Sequence, residues 1–244
     1  MSKLEVCGVS RAFDAKPILQ DVNLTLDEGE IVCLLGASGG GKSTLFNIIS
    51  GLLAPDSGRV LLDGEDITLR PGHVSYMLQR DLLLPYRTVL DNVILPLLLR
   101  GEARPVARKR AEEFFPSFGL EGSQELYPSQ LSGGMRQRAA LLRTYLFSRQ
   151  VALLDEPFSA LDALTKRAMH RWYLQVMDSL RVSTLFITHD VDEALLLADR
   201  ICLLTGQPGQ ISHQITVPRP RPRPEDFALS VDFLDCKRHV LSLL

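Results

Sequence analysis

The chain has 244 residues of ordinary globular composition, enough for one large domain or two small ones around a substantial core. Its 27 basic and 29 acidic side chains leave a net charge of -2, which argues against a broad electrostatic footprint for nucleic acid. Cys7, Cys33, Cys202 and Cys236 share no metal-ligand or CxxC spacing and read as free thiols in a reducing compartment. No charged stretch followed by an apolar one opens the chain, and its longest apolar runs, such as residues 93–99 with their proline, fall short of a bilayer span. The expectation is a cytosolic protein, brought to a membrane only by something else.

The first thirty residues read as short strands at 4–9 and 18–26, closing at a turn over 27–29. Residues 31–35 are a short apolar run of the kind found in buried strands, and Leu45, Ile48, Ile49 and Leu52 follow at helical spacing. Between them lies "GASGGGKST", residues 36–44. Its glycines permit positive φ, so the backbone can curl until several N–H groups point into one anion-binding concavity. Gly36, four residues, then Gly41, Lys42 and Ser43 is the phosphate-binding loop spacing. That pattern makes Gly36, Ala37, Ser38, Gly39, Gly40, Gly41, Lys42, Ser43 and Thr44 candidate nucleotide ligands. Lys42 would reach the β and γ phosphates and Ser43 would ligate magnesium. The helix dipole adds to the attraction.

Turn residues in "PDSGRVLLDGEDI" bracket a strand at 60–62, and another strand at 74–77 precedes Gln79. From 100 to 118 the pattern is charged and helical, interrupted by Pro105 and Pro116 and bounded by Gly101 and Gly119, which suggests a small helical subdomain. Strand and helix then alternate: strands at 151–154, 184–187 and 201–204, helices at 163–180 and 191–198. Such alternation implies an α/β fold with a parallel sheet covered on both faces. Trp172 falls in step with Leu164, Ala168, Val176 and Leu180, which predicts a core stripe. His73, His170, His213 and His239 read as isolated and without a role. "PRPRPRP", residues 218–224, predicts an extended polyproline-type spacer leading to a short amphipathic tail.

"VALLDEP" is an apolar strand ending in two acids. Adjacent acids also occur in surface turns, but downstream of a phosphate loop Asp155 is the candidate magnesium holder and Glu156 the group that polarises the attacking water. "LSGGMRQR" offers a helix start capped by Ser132, with Gly133 and Gly134 allowing close backbone approach; the plain alternative is an ordinary capped helix.

Residues 36–44, Gln79, 131–138, 151–157, 159–162 and His189 occur in the order and at the spacings of the ATP-binding subunits of ABC transporters, which the chain resembles over about residues 1–215. The resemblance implies a P-loop NTPase core with an N-terminal antiparallel β subdomain and an inserted α-helical subdomain at about 80–145. The cassette would span 1–217, the spacer 218–224 and the tail 225–244. It implies ATP hydrolysis with Mg2+, and a head-to-tail homodimer in which Ser132, Gly133 and Gly134 cap the γ-phosphate of the opposite chain. The turn at 159–162 would link the two sites. Gln79 would sense magnesium and the γ-phosphate, His189 would contact the γ-phosphate and the water, and Phe13 would stack on adenine. From the residues alone, His189 is as readily an ordinary hydrogen-bonded histidine, and Phe13 a core phenylalanine.

The apolar run at 82–86 suggests a groove for a partner's helix, the alternative being packing under the helical subdomain. In the family a permease's coupling helix docks there. The implied partners are an integral membrane permease and, indirectly, a substrate-binding protein, with the chain peripheral on the cytoplasmic face of the cell membrane. Residues 79–93, the turn at 206–211 and the arginine-proline segment resemble importer subunits of the nitrate, sulfonate, taurine and thiamine-precursor group, although Tyr86 replaces the usual tryptophan. The competing reading is an ABC ATPase acting on ribosomes or nucleic acid. A GTPase, a small-molecule kinase and a non-catalytic nucleotide-binding regulator explain the motifs less well.

Overall fold

A computed structural model describes residues 2–148, 150–224 and 226–244. The segments β1 (Ser2–Phe13) and β2 (Lys16–Asp27) pair antiparallel, and alternate residues such as Leu4, Val6, Leu24 and Leu26 turn inward. With β4 (Ser57–Leu62) and the short β5 (Glu65–Asp66) they make a four-stranded antiparallel sheet in the order β2-β1-β4-β5.

The second sheet has six strands in the order β10-β9-β3-β8-β7-β6. Its centre is β3 (Ile31–Leu35), β8 (Ser183–Thr188) and β7 (Val151–Asp155), parallel and buried along their whole lengths. Burial on both faces is why these strands read as continuous apolar runs. β9 (Arg200–Thr205) and β6 (Ser75–Met77) extend the parallel set. β10 (Gln210–Thr216) adds an antiparallel edge that the sequence pattern misses, because only half-buried isoleucines alternate with its polar residues.

One core lies between the two sheets around α1 (Lys42–Ile49). The other covers the opposite face of the main sheet with α5 (Gly133–Phe147), α6 (Ala163–Leu180) and α7 (Val191–Leu197). Three shorter helices, α2 (Val89–Val93), α3 (Leu95–Leu99) and α4 (Arg104–Glu112), pack beside α5. Pro105 sits in the first turn of α4, where its missing N–H breaks no helical bond, so it starts this helix instead of interrupting one. Arg200 joins the sheets: its guanidinium grips Glu30 at 2.9 and 3.0 Å, the Thr25 carbonyl at 2.7 Å and Gln214 at 2.6 Å.

Three expectations need correction. Of the expected stripe on α6, Val176 is buried and Trp172 and Leu180 pack half-buried against the core, but Leu164 is 80% exposed, and the buried face is completed by Met169, His170, Tyr173 and Met177. A four-residue step advances about 40° beyond a full turn, so a line drawn at that step winds off the core. Trp172 is half-buried, donates from its indole N–H to the Ser117 carbonyl at 3.0 Å, and stacks under Arg138. His170 is not isolated; its Nε2 lies 3.0 Å from a Glu193 carboxylate oxygen.

Residues 218–224, expected as a spacer, are fastened to the cassette. Arg221 pairs with Asp199 and Asp178 at 2.8 Å and donates to the Gly29 carbonyl at 3.0 Å, while Arg223 donates to the carbonyls of Leu196 and Ala198. The tail forms α8 (Val231–Leu243), whose Phe233 and Val240 are buried and whose Lys237 pairs with Asp192 of α7. Positions 1 and 225, where the expected cassette and tail begin, lie outside the described residues. Among the described residues no helix is long and apolar enough to cross a membrane.

Candidate functional site

The phosphate loop leaves the C-terminal end of β3 and enters α1 at Gly41, whose φ of 95° is left-handed and suits glycine. At Gly36 a Cβ would stand 2.3 Å from the Leu204 carbonyl oxygen, so only glycine lets the loop pass β9. Lys42, 7% exposed, donates from Nζ to the Gly36 and Ala37 carbonyls at 2.8 Å each. Burial pulls its pKa below the ordinary lysine value against the opposing influence of Glu156 and Asp155.

Asp155 ends β7 opposite the loop and accepts a 3.1 Å hydrogen bond from the Ser43 hydroxyl. Burial raises its carboxyl, and Ser43 opposes that shift. Tyr76 stands close enough to Asp155 to help hold its carboxyl down; no local pattern in the sequence shows this, because the two lie on neighbouring strands far apart in the chain. Glu156 has φ 46°, an unusual value for a non-glycine residue, and its N–H donates to the Ile187 carbonyl at 3.0 Å. Its carboxylate accepts from the Gln79 amide at 3.1 Å and faces His189 Nδ1 at 3.1 Å. Phe13 is 42% exposed and stacks beneath Arg11, so the core alternative does not hold for it.

Phe13, Ser38, Lys42, Ser43, Thr44, Gln79, Asp155 and Glu156 line one cleft of about 490 Å3, and His189 reaches it from outside that lining through Glu156. Ser132, Gly133 and Gly134 lie outside its lining. Ser132 caps α5 by accepting from the Met135 N–H at 3.2 Å, and Gly134 packs against α6, where a Cβ would approach Thr165 to 3.3 Å. Gln137, buried in α5, donates to the Pro157 carbonyl and ties this helix to the segment after Glu156. It lies within the 131–138 motif, but nothing in the sequence shows its partner.

A second concavity, about 420 Å3 and mostly apolar, opens beside α3 and α5 between Leu52, Pro71, Leu82, Pro96, Leu99 and Phe147. The 82–86 run is split: Leu83 joins the core, whereas Leu82 and Tyr86 are exposed. Arg143 holds this segment through the Leu82 and Asp81 carbonyls.

A glycine-rich turn between a buried parallel strand and a helix, opposed by a strand ending in two acids, defines a phosphate-loop nucleotide-binding protein. Residues 19–159 match the family described as ABC transporter. The chain belongs to the ABC transporter family. It is 45% identical over 211 residues to the formylaminopyrimidine import ATP-binding protein ThiZ of Halalkalibacterium halodurans, covering 86% of this chain and 82% of that protein. It is 39% identical over 221 residues to the nitrate import ATP-binding protein NrtD of Synechocystis, covering 89% and 83%. The ATP-binding cassette MJ0796, solved as a dimer in a post-hydrolysis state with ADP and Pi, aligns at a TM-score of 0.75 and 28% identity, covering 89% of this chain and 100% of that one. MJ1267, another cassette, shares the fold at a TM-score of 0.80 over 88% of this chain and 92% of that one, with 22% identity.

Proposed function

We propose that this chain is the ATP-hydrolysing subunit of an importer, closing as a homodimer on ATP and driving a separate membrane permease. The observation that carries the reading is Glu156, held at the mouth of the phosphate-loop cleft between Gln79 and His189. The backbone N–H groups of 36–44 and Lys42 bind the β and γ phosphates, and Phe13 stacks on adenine. Glu156 takes a proton from the attacking water while Gln79 and His189 fix its carboxylate, and His189 also contacts the γ-phosphate. Ser132, Gly133 and Gly134, outside their own chain's cleft, complete the partner's site in a head-to-tail dimer.

Magnesium fits the donors. Among the described residues no group of three His, Cys, Asp or Glu could hold a metal, but Ser43 and Asp155 meet at 3.1 Å and Gln79 lines the same cleft. One carboxylate plus neutral oxygens and substrate phosphates is the donor set this ion takes, and Ser43, Asp155 and Gln79 would hold it. Bound there, it would neutralise charge on the phosphates.

The apolar groove beside α3 and α5 is the docking site for the permease's coupling helix, which sets the chain peripherally on the cytoplasmic face of the cell membrane. A substrate-binding protein delivers cargo to the permease, and nucleic acid is no partner. Relatives named for import of a formylaminopyrimidine and of nitrate support uptake of a small solute. The test is to tag the chain, solubilise its membranes in mild detergent, and identify what co-purifies in a nucleotide-sensitive way. A stoichiometric multispanning protein is expected; ribosomes or soluble proteins alone would overturn the importer reading.

A further inference from the structure

Behind His189 lies a buried polar cluster to which the proposed mechanism gives no task. Glu193, on α7, is only 2% exposed and draws donors from three directions. The Thr188 hydroxyl donates to its Oε2, His170 Nε2 lies 3.0 Å from its Oε1, and Lys166 Nζ stands 3.7 Å from Oε2. Lys166 also pairs with Asp190 Oδ2 at 2.7 Å. The other Asp190 oxygen caps α7 by accepting the N–H groups of Asp192 and Glu193 at 3.0 and 3.2 Å, and the Asp190 N–H donates to the Thr188 hydroxyl at 3.1 Å.

The residues on either side of His189 are therefore both pinned to this cluster, while the His189 side chain itself is 61% exposed and aimed at Glu156. Two of the pins come from α6. Lys166 and His170 sit four residues apart on one face of that helix, which begins at the cap Asp162 directly after the 159–162 turn. Phe158, just before the same turn, packs edge-on against His170 with ring centroids 4.9 Å apart. A helix is stiff over two turns, so a displacement of the turn carries Lys166 and His170 with it and moves the groups that fix 188 and 190.

We propose that Glu193 is a positioning residue for His189, and that through Lys166 and His170 it ties His189 to the 159–162 turn. The inference rests on the ATPase reading above and on the expectation, drawn from the family resemblance, that this turn links the two sites of the dimer. It gives each site a mechanical path to the histidine of the same chain. A carboxylate placed here only to fill a core ion pair would affect folding and leave the geometry of His189 alone.

The experiment measures ATP hydrolysis with Mg2+ by the full chain, its Glu193→Gln, Lys166→Met and His189→Ala variants, and both double variants with His189→Ala. Glu193→Gln is expected to lower kcat by about tenfold or more with KM for ATP changed less than about twofold, as misplacing a group that acts late in the reaction does. Lys166→Met, at the more exposed end of the cluster, is expected to lower kcat less and serves where Glu193→Gln fails to fold. In the His189→Ala background neither change should lower the residual single-turnover rate further. The side-chain nitrogen resonances of His189 should shift in Glu193→Gln. Losses that add to that of His189→Ala, or unchanged His189 resonances, overturn the inference alone. A His189→Ala rate equal to that of the unaltered chain removes His189 from the reaction and overturns the inference, whereas no hydrolysis by the unaltered chain overturns the ATPase reading and the inference with it.

Discussion

Glu156 and His189, 33 residues apart in the chain, face each other across 3.1 Å from carboxylate oxygen to Nδ1. The left-handed backbone of Glu156 and its N–H bond to the Ile187 carbonyl aim the side chain there. Glu156→Gln keeps the shape and removes the base, so hydrolysis should fall about 100-fold or more while ATP binding persists. On a sizing column with ATP the variant should run as a dimer; a monomer would overturn the assignment of Glu156 to the hydrolytic step.

Lys42 Nζ already sits among carbonyl acceptors inside the loop, where a phosphate oxygen is its natural competitor. Lys42→Ala removes a charge-assisted contact of about 2–3 kcal/mol, so ATP affinity should drop on the order of 100-fold. Titration calorimetry reads this directly, and an affinity unchanged within a factor of two would remove Lys42 from the site.

In a head-to-tail dimer, the defects of a Lys42→Ala chain and a Ser132→Arg chain fall in the same composite site of the mixed dimer. The mixed species should hold about one ATP per two chains, with the remaining site normal. Loss of both sites would show that Ser132 acts within its own chain.

Asp155 gives a pH signature. Its folded-state pKa is raised by burial above the ordinary 3.8, so the folded chain holds this proton more tightly than the unfolded one. The stabilising contribution is complete below 3.8 and is lost as pH rises through the folded value. At pH 7 Asp155→Asn should therefore melt at a higher temperature than the native chain while losing hydrolysis, and the difference should shrink on acidification. A variant that melts lower at pH 7 would contradict the assigned sign.

Arg221 is buried against Asp199 and Asp178. Arg221→Ala leaves two carboxylates and the Gly29 carbonyl without their donor, and should destabilise the chain by about 2–3 kcal/mol; the loss is at the low end for buried pairs because both acids keep some solvent contact. Urea unfolding measures it. A change below about 0.5 kcal/mol would make residues 218–224 a surface connector after all.

What the sequence discloses here is what is local. The phosphate loop, the central strands and α6 show in patterns of a few residues, since fixed spacings and apolar runs encode them. On α6 the four-residue step meets the core at Trp172, Val176 and Leu180 but runs off it at Leu164, since the helix repeats every 3.6 residues. The arginine-proline segment has the composition of a linker, yet its partners Asp178 and Asp199 lie some distance back in the chain, where no local pattern points to them. The same holds for the Tyr76 contact with Asp155 and for the cluster around Glu193. Gln79, Ser132 and His189 entered through resemblance to a family, and the fold brings the first and last of these together on Glu156.

The fastening of the two sheets by Arg200 bears on the thermodynamics of ligand capture. Phe13 belongs to the antiparallel sheet and the phosphate loop to the parallel one; the Arg200 bond to the Thr25 carbonyl crosses between the sheets, its pair with Glu30 holds the connection between them, and the apolar core they share resists sliding. The aromatic wall and the anion nest therefore keep a constant spacing before any nucleotide arrives. Ordering on capture then falls on the incoming molecule, and rigid preorganisation lowers the entropy penalty on the protein's side.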